Sequence, residues 1–162
     1  MSLSKNIEIN CPKCNAKQNF KVWQSVNVTE DITLKEMVFN QSIFNFKCNK
    51  CETQTLIEYP FIYHDYDKKF FVYFDSTGKF ENIIENEGYI TRTASNYLEL
   101  LETIKILEDK IDEDRIKIAK EELFNKFKTN DNLKSIDKLY YSGIKDNKLE
   151  FFVPAINGKI TV

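Results

Sequence analysis

Two neighbouring segments in the second half of the chain carry hydrophobic residues at helical spacing. The first helix is predicted within TASNYLELLETIKILEDKID, where Thr93 or Ser95 would cap it. The second is predicted within DEDRIKIAKEELFNKFK, whose opening acidic run Asp112–Asp114 suits a helix N-terminus. Each segment repeats its apolar residues on one helical face: Leu100, Ile104, Leu107 and Ile111, then Ile116, Ala119, Leu123 and Phe127. With Leu101, Ile106, Ile118 and Phe124 widening the buried face, the pattern predicts a helical hairpin.

The preceding part of the chain favours strands. NFKVWQSVNV and SIFNFKC are strand-like, and DITLKEMVFNQ between them predicts a short helix. A hairpin is predicted next, with arms Gln54–Tyr63 and Phe70–Asp75 joined by the turn HDYDKK. Residues Phe70–Phe74 show no polar alternation, so both faces of that strand need cover, either from the following helices or from a second subunit.

The remaining segments complete an α+β prediction. STGKFENIIENEG is interpreted as a loop that holds at most one short element, and KTNDNLKSID as a polar connector. Leu139–Ser142 and Leu149–Val153 would pair around GIKDNK, and GKITV would form a final strand. We therefore expect an antiparallel β lobe with an inserted short helix over residues 1–92, a helical hairpin packed on it over 93–128, and a C-terminal β extension, a hairpin, over 129–162.

Length and composition narrow the class of protein. A chain of 162 residues with a net charge of −2 is one domain, or one domain with an appendage, and has no long-range field to attract nucleic acid. Its four glycines form no phosphate-binding motif. The N-terminal MSLSKNIEIN has no apolar h-region, and no apolar run is as long as a membrane span. We therefore expect a cytoplasmic protein with reduced thiols.

All four cysteines occur in two C-x2-C pairs, CPKC and CNKC. Cys11 and Cys14 form the first pair, and Cys48 and Cys51 form the second after 33 intervening residues. Two such turns supply the four thiolates that a structural Zn²⁺ prefers. Asn15 tolerates the positive φ that often follows a knuckle, whereas Glu52 at the matching place fits less well. Nearby lysines would offset the charge of a Zn(Cys)4 centre and lower the thiol pKa values: Lys13, Lys17, Lys47 and Lys50.

Three other uses of the cysteines compete with zinc. Structural disulfides are disfavoured in a reducing compartment. A redox-active C-x-x-C usually opens a helix in a βαβ unit, whereas strand-like sequence flanks both pairs here. A rubredoxin-like iron site has the same ligands and stays open, although zinc is favoured. The four cysteines are therefore predicted to hold one structural metal ion, which makes the β lobe over residues 1–92 zinc-ribbon-like. No catalytic or other cofactor residues are assigned.

The knuckles, the strand–helix–strand insertion, EYPFIYHDYDKKFFVYF and the helix pair together resemble the CpXC family of bacterial and archaeal proteins. CPKC matches the family motif, and CNKC keeps the ligands while placing Asn49 where proline would stand. The resemblance covers about residues 7–128. It implies metal binding by Cys11, Cys14, Cys48 and Cys51 and implies no reaction.

Three functions follow as hypotheses. The first is a zinc-stabilised module for a protein partner or for self-association, with the aromatic hairpin and the helical pair as its exposed surfaces. The second is a nucleic-acid-binding zinc ribbon, which the net charge of +3 over residues 1–51 supports weakly and the lack of any arginine before Arg92 disfavours. The third is an enzyme using His64 with Asp65 and Asp67, although a polar surface turn explains YHDYD better.

Overall fold

The computed structural model of the chain describes residues 1–80, 83 and 85–162. The prediction for STGKFENIIENEG lies partly outside these residues. The chain divides into two compact units, Met1–Tyr97 and Leu98–Val162. The first unit contains strands β1 Leu3–Asn10, β2 Lys17–Asn27, β3 Asn45–Lys47, β4 Gln54–Leu56, β5 Phe61–Asp65, β6 Phe70–Phe74 and β7 Ile90–Ala94, with helix α1 Ile32–Phe39. Helix α2 Tyr97–Asp109 begins at the boundary, and α3 Glu113–Lys128, β8 Tyr140–Lys145, β9 Lys148–Val153 and β10 Gly158–Thr161 follow.

A five-stranded sheet forms the body of the first unit. Its strand order is β1-β2-β5-β6-β7, and the short strands β3 and β4 form a separate antiparallel pair. The pairs β1/β2 and β5/β6 are antiparallel, whereas β2/β5 and β6/β7 are parallel. The predicted α+β class is therefore confirmed, and the sheet is mixed. Strands β1 and β7 were not predicted, because their short polar-rich sequences carry little apolar periodicity.

Proline accounts for the main change in the predicted hairpin. The arm Gln54–Tyr63 is two strands in two sheets, because Pro60 lies between them and lacks the N–H that a ladder requires. The pairing of β2 with β5 consequently covers only Ser25–Asn27. The preceding residues of β2 pair with β1 alone among the strands described.

The predicted inserted helix is α1. The side chain of Asp31 caps it by accepting a hydrogen bond from the backbone N–H of Thr33 at 2.9 Å. SIFNFKC is not one strand as predicted, since a 3₁₀ turn over Ser42–Phe44 precedes the three residues of β3. The turn buries Phe44 to 1% exposure, and its ring packs 5.9 Å from Phe61 and 5.6 Å from Phe74. This aromatic contact anchors the insertion on the core.

The burial of β6 follows its apolar sequence. Phe70, Val72 and Phe74 are fully buried on one face of the sheet, and Tyr73 on the other face is 8% exposed. Only Phe71 stays half-buried. The second face is therefore covered incompletely.

The second unit has a core of its own. Strands β8, β9 and β10 form an antiparallel sheet in the order β10-β9-β8, one strand more than a hairpin. The predicted stripe of α3 is buried there with residues of the sheet and its lead-in: Ile116, Ala119, Leu123, Phe127, Ile136, Leu139, Tyr141, Phe151 and Val153. The helical pair is confirmed, and Glu102 Oε1 on α2 lies 2.6 Å from Lys120 Nζ on α3. The prediction that Ile118 is buried is wrong, because that side chain is 57% exposed.

The two helices were easier to predict than the residues at which they begin. Asp112 caps α3, as the acidic run predicted, by accepting from the backbone N–H of Asp114 at 2.8 Å. Helix α2 begins at Tyr97, so Thr93 lies in β7 and does not cap the helix. The turn between β8 and β9 is Asp146-Asn147, and both residues have positive φ. Asp and Asn tolerate that conformation, which favours a tight hairpin.

Candidate metal centre

The two cysteine knuckles share one backbone design. In the first, the carbonyl of Cys11 accepts from the N–H of Asn15 at 2.9 Å, and the N–H of Cys11 donates to Ala16 O at 2.9 Å. In the second, Cys48 makes the same two bonds with the next residues in register, Glu52 at 3.0 Å and Thr53 at 2.9 Å. Each turn therefore closes on itself and presents its first cysteine in the same way.

Each knuckle also directs a backbone N–H at its first sulfur. The N–H of Lys13 donates to Cys11 Sγ at 3.4 Å, and the N–H of Lys50 donates to Cys48 Sγ at 3.4 Å. Donors of this kind favour the thiolate over the thiol, because they stabilise the negative charge. The backbone thus prepares both sulfurs for a cation.

The residue that follows each second cysteine adopts a left-handed conformation. Asn15 has φ of 56° and Glu52 has φ of 58°. Asparagine tolerates this region, whereas a glutamate carries a steric cost there. The sequence prediction that Glu52 fits less well is consistent with this geometry, and the knuckle forms in spite of it.

The four sulfurs converge at one point. Cys11 Sγ lies 3.6 Å from Cys51 Sγ, and Cys14 Sγ lies 3.6 Å from Cys48 Sγ. All four ligand atoms lie within 4.8 Å of one another. A tetrahedron with Zn–S bonds of about 2.3 Å has sulfurs about 3.8 Å apart. The spacing therefore suits a single tetrahedral metal ion. Both close sulfur pairs join a cysteine of the first knuckle to a cysteine of the second.

The thiol pKa values move in opposite directions within the cluster. The hydroxyl of Thr53, 3.3 Å from Cys51 Sγ, is the main reason that the pKa of the Cys51 thiol falls to about 6. At Cys14, the backbone N–H of Ala16 favours the thiolate, but burial and the three neighbouring thiols outweigh it and raise the pKa to about 11. Four adjacent sulfurs do not all ionise without a balancing cation. A divalent ion at their centre would remove that conflict.

The four sulfurs rest on a small hydrophobic cluster. Cys11 is 2% and Cys48 0% exposed, and Phe20 and Phe46 pack beside them with ring centroids 5.8 Å apart. Burial on the inner side excludes water from two of the four sulfurs. The lysines around the sulfurs are exposed, and Lys17 pairs with Glu8 at 2.9 Å.

The structure moves His64 out of the predicted surface turn. His64 lies in β5, is half-buried, and stacks on Phe71 with ring centroids 4.3 Å apart. Its Nε2 is buried without a hydrogen-bond partner among the described residues, and burial is the main reason that its pKa is lowered. The next ring in the stack is Tyr89, 5.0 Å from Phe71. This aromatic column was not predicted, because Tyr89 is remote in sequence.

The two acids that the enzyme hypothesis required have other surroundings. Side chains of consecutive strand residues point to opposite faces, so Asp65 faces away from His64. Asp65 Oδ1 accepts from the backbone N–H of Lys68 at 2.9 Å and lies 3.4 Å from Thr29 Oγ1, which holds the turn after β5. Asp67 is exposed in that turn. Asp65 therefore acts as a turn-capping residue.

Comparison with known proteins identifies the family. The sequence matches the family described as CpXC protein over residues 9–120, a span that contains both knuckles, and the chain belongs to this family. No curated protein and no solved structure matches the chain significantly. In the part of the chain that the structure describes, no helix has the length and apolarity needed to cross a membrane.

Proposed function

We propose that the protein is a zinc-stabilised interaction module, in which a structural Zn²⁺ is held by Cys11, Cys14, Cys48 and Cys51. The observation that carries the proposal is the closed set of four converging sulfurs. Four thiolates saturate a tetrahedral zinc ion and leave no position for a water or a substrate, so the ion supplies folding energy and no reaction. Zinc is favoured over iron because it is the usual ion of such double-knuckle sites.

The surface proposed for the partner is the aromatic column on the open face of the five-stranded sheet, defined as His64, Tyr66, Phe71 and Tyr89. Phe71 is half-buried between His64 and Tyr89, and Tyr66 is 60% exposed. Aromatic residues that combine a fixed geometry with partial exposure are enriched at protein interfaces. The proposed partner is accordingly another protein or a second copy of this chain, in the cytoplasm.

Metal content tests the first part of the proposal. Protein purified without added metal should contain about one equivalent of zinc by elemental analysis. A Cys48→Ser variant should lose most of it, because Cys48 is fully buried at the centre of the site. Stoichiometric iron, or metal-free protein whose four thiols alkylate readily in the native state, would contradict the zinc assignment.

Site-specific crosslinking tests the second part. A photoreactive phenylalanine analogue in place of Tyr66 should give a discrete protein adduct in cells, either with a second protein or with the chain itself. The matched control is the same analogue at Ile118, which is 57% exposed in the second unit. Equal adduct patterns at both positions would sink the interaction surface, and recovery of RNA or DNA at position 66 would favour the nucleic-acid hypothesis instead.

A further inference from the structure

A groove with a volume of about 800 Å³ opens in the first unit where β2 separates from β5. Pro60 ends the pairing of these strands, so residues of β2 before Ser25 border an opening on the side of β5 while they pair with β1 on the other side. Sites for small molecules usually have volumes of about 300–1,000 Å³. The groove therefore has room for a molecule of one or two rings.

Aromatic side chains recur in the described lining of the groove: Trp23, Tyr59, Phe61, Tyr73, Phe74 and Phe80. The ring of Tyr59 is held in place, since its hydroxyl donates to Ile43 O at 2.9 Å and its ring packs edge-on to Phe44 at 5.4 Å. Trp23 is covered on one side by the ammonium of Lys21, 4.1 Å from the ring centroid. Such preset rings bind a flat apolar surface without losing much conformational entropy.

Among the described lining residues of the groove, basic side chains outnumber acidic ones, and only the basic ones are left to contact a ligand. Lys5 and Lys79 are both exposed at the groove, and within the described ranges no carboxylate pairs with either ammonium. Asp75 is the one acid among the lining residues that the structure describes, and its Oδ1 accepts from the N–H and the hydroxyl of Thr77, each at 2.8 Å. The described part of the lining is thus net positive in a chain whose net charge is −2. That local sign favours an anion.

We propose that this groove is a binding site for a small aromatic anion. The ring system lies among the aromatic lining residues, and the carboxylate or sulfonate group faces the ammonium groups of Lys5 and Lys79. Contact with the rings supplies affinity, and the two lysines select the charge. The site is separate from the cysteine cluster, whose residues do not line the groove.

A matched pair of fluorescent probes tests both features. The probes are 8-anilinonaphthalene-1-sulfonate, an aromatic anion, and N-phenyl-1-naphthylamine, its uncharged analogue. Trp23 is the only tryptophan of the chain and lines the groove, so energy transfer from it reports a bound probe. We expect saturable binding of the sulfonate at one site per chain, with an affinity that falls as salt is added.

Two sets of variants locate the probe. Lys5→Gln with Lys79→Gln should weaken sulfonate binding about tenfold and change binding of the neutral probe less than twofold, because only the charge-assisted contacts are lost. Phe80→Ala should weaken both probes. The matched control is Lys128→Gln with Lys138→Gln, two exposed lysines of the second unit, which should leave both affinities unchanged.

Several outcomes would overturn the proposal. They are absence of saturable sulfonate binding, an equal response of both probes to the Lys5 and Lys79 changes, the same loss in the control variant, or no effect of Phe80→Ala. Because Lys5 and Lys79 are exposed, their replacement should not disturb folding, which circular dichroism and zinc content verify. The charge reversal Lys79→Glu provides a second test and should weaken binding of the sulfonate probe more than Lys79→Gln does.

Discussion

The side chain of Gln18 holds the backbone of Asn49, because Gln18 Oε1 accepts a hydrogen bond from the Asn49 N–H at 2.9 Å. The amide nitrogen of the same side chain donates to Lys47 O, also at 2.9 Å. Gln18 lies in β2 just after the first knuckle, and the two backbone groups flank Cys48 in the second. One side-chain amide therefore ties the strand that follows the first knuckle to the backbone of the second knuckle.

Replacing Gln18 with alanine should loosen the metal site. The change removes two hydrogen bonds, each of which contributes about 0.5–1.5 kcal/mol. Groups that orient metal ligands typically affect metal affinity by about 10- to 100-fold, and this backbone contact should have an effect near the lower end of that range. Release of zinc to a chromophoric chelator should be faster in Gln18→Ala than in Asn19→Ala, the exposed neighbour. Equal release rates would show that the amide does not help to position the second knuckle.

Glu52 offers a substitution that should stabilise the protein. Its φ of 58° is unfavourable for glutamate, whereas asparagine and glycine accept it readily. Glu52→Asn should therefore raise the free energy of unfolding of the zinc-bound protein by about 1 kcal/mol, because left-handed backbone costs an ordinary residue about 1–2 kcal/mol and asparagine less. The control is Asn15→Ala, which should lower it, because the matching position of the first knuckle has φ of 56°. Denaturant titration at saturating zinc measures both changes, and a loss of stability in Glu52→Asn would refute the strain argument.

The cysteine site could be predicted from sequence because the ligands of each knuckle lie three residues apart in the chain. Each C-x2-C turn fixes two ligands by itself, and only the pairing of the two turns needs the fold. The α3 stripe was equally local, and all four of its predicted residues are buried. The aromatic column was beyond reach for the opposite reason, since the β6/β7 parallel pairing that brings Tyr89 near Phe71 joins segments with no shared pattern.

The prediction for Ile118 failed for a different physical reason. Apolar residues at helical spacing define a face, but they do not define how wide that face is once the helix is packed. On α3 the sheet of the second unit covers the stripe through Ile116 and Ala119 and leaves Ile118 exposed. Likewise, the sequence contains Pro60, but it does not reveal that β5 pairs with β2. The limit that Pro60 sets on this pairing could therefore not be predicted.

His64 should make the protein less stable in mild acid. Burial lowers its pKa in the folded state, and its Nε2 has no partner within the described residues. Below the unfolded-state pKa of about 6.5 the unfolded chain binds a proton that the folded chain resists, so this stability is present at neutral pH and is lost as the pH falls towards the folded pKa. Since His64 is the only histidine, its NMR titration is unambiguous and should give a pKa below the ordinary value.

A ring-conserving variant isolates that effect. His64→Phe keeps the stacking on Phe71 and removes the titrating group. As the pH falls from 7.5 to 5.5, the stability of this variant relative to the native protein should therefore rise. Loss of zinc in acid affects both proteins alike and cancels in the comparison. An ordinary pKa for His64, or a stability difference that does not change with pH, would contradict the inference from its burial.

Removal of the metal should affect the two units differently. The second unit buries a core that contains no cysteine, so α3 and strands β8–β10 should keep their amide protection after chelation. In the first unit, the knuckles and the paired strands β3 and β4 depend on four sulfurs brought together from remote positions. Phe20 and Phe46 pack there as well, but the apolar cluster that they form includes Cys11 and Cys48 themselves.

Hydrogen exchange with and without a strong chelator measures this region by region. We expect protection to vanish at residues 7–22 and 45–57 and to persist in part at β5 and β6, where Tyr63, Phe70 and Val72 form a core without metal ligands. A Cys48→Ser variant, examined without a chelator, should reproduce the pattern and so exclude a direct action of the chelator. Simultaneous loss of protection in α3 and in the knuckles would mean that the metal centre and the second unit fold as one cooperative body, and full retention at residues 45–57 would mean that the Phe20–Phe46 cluster holds the knuckles without the ion.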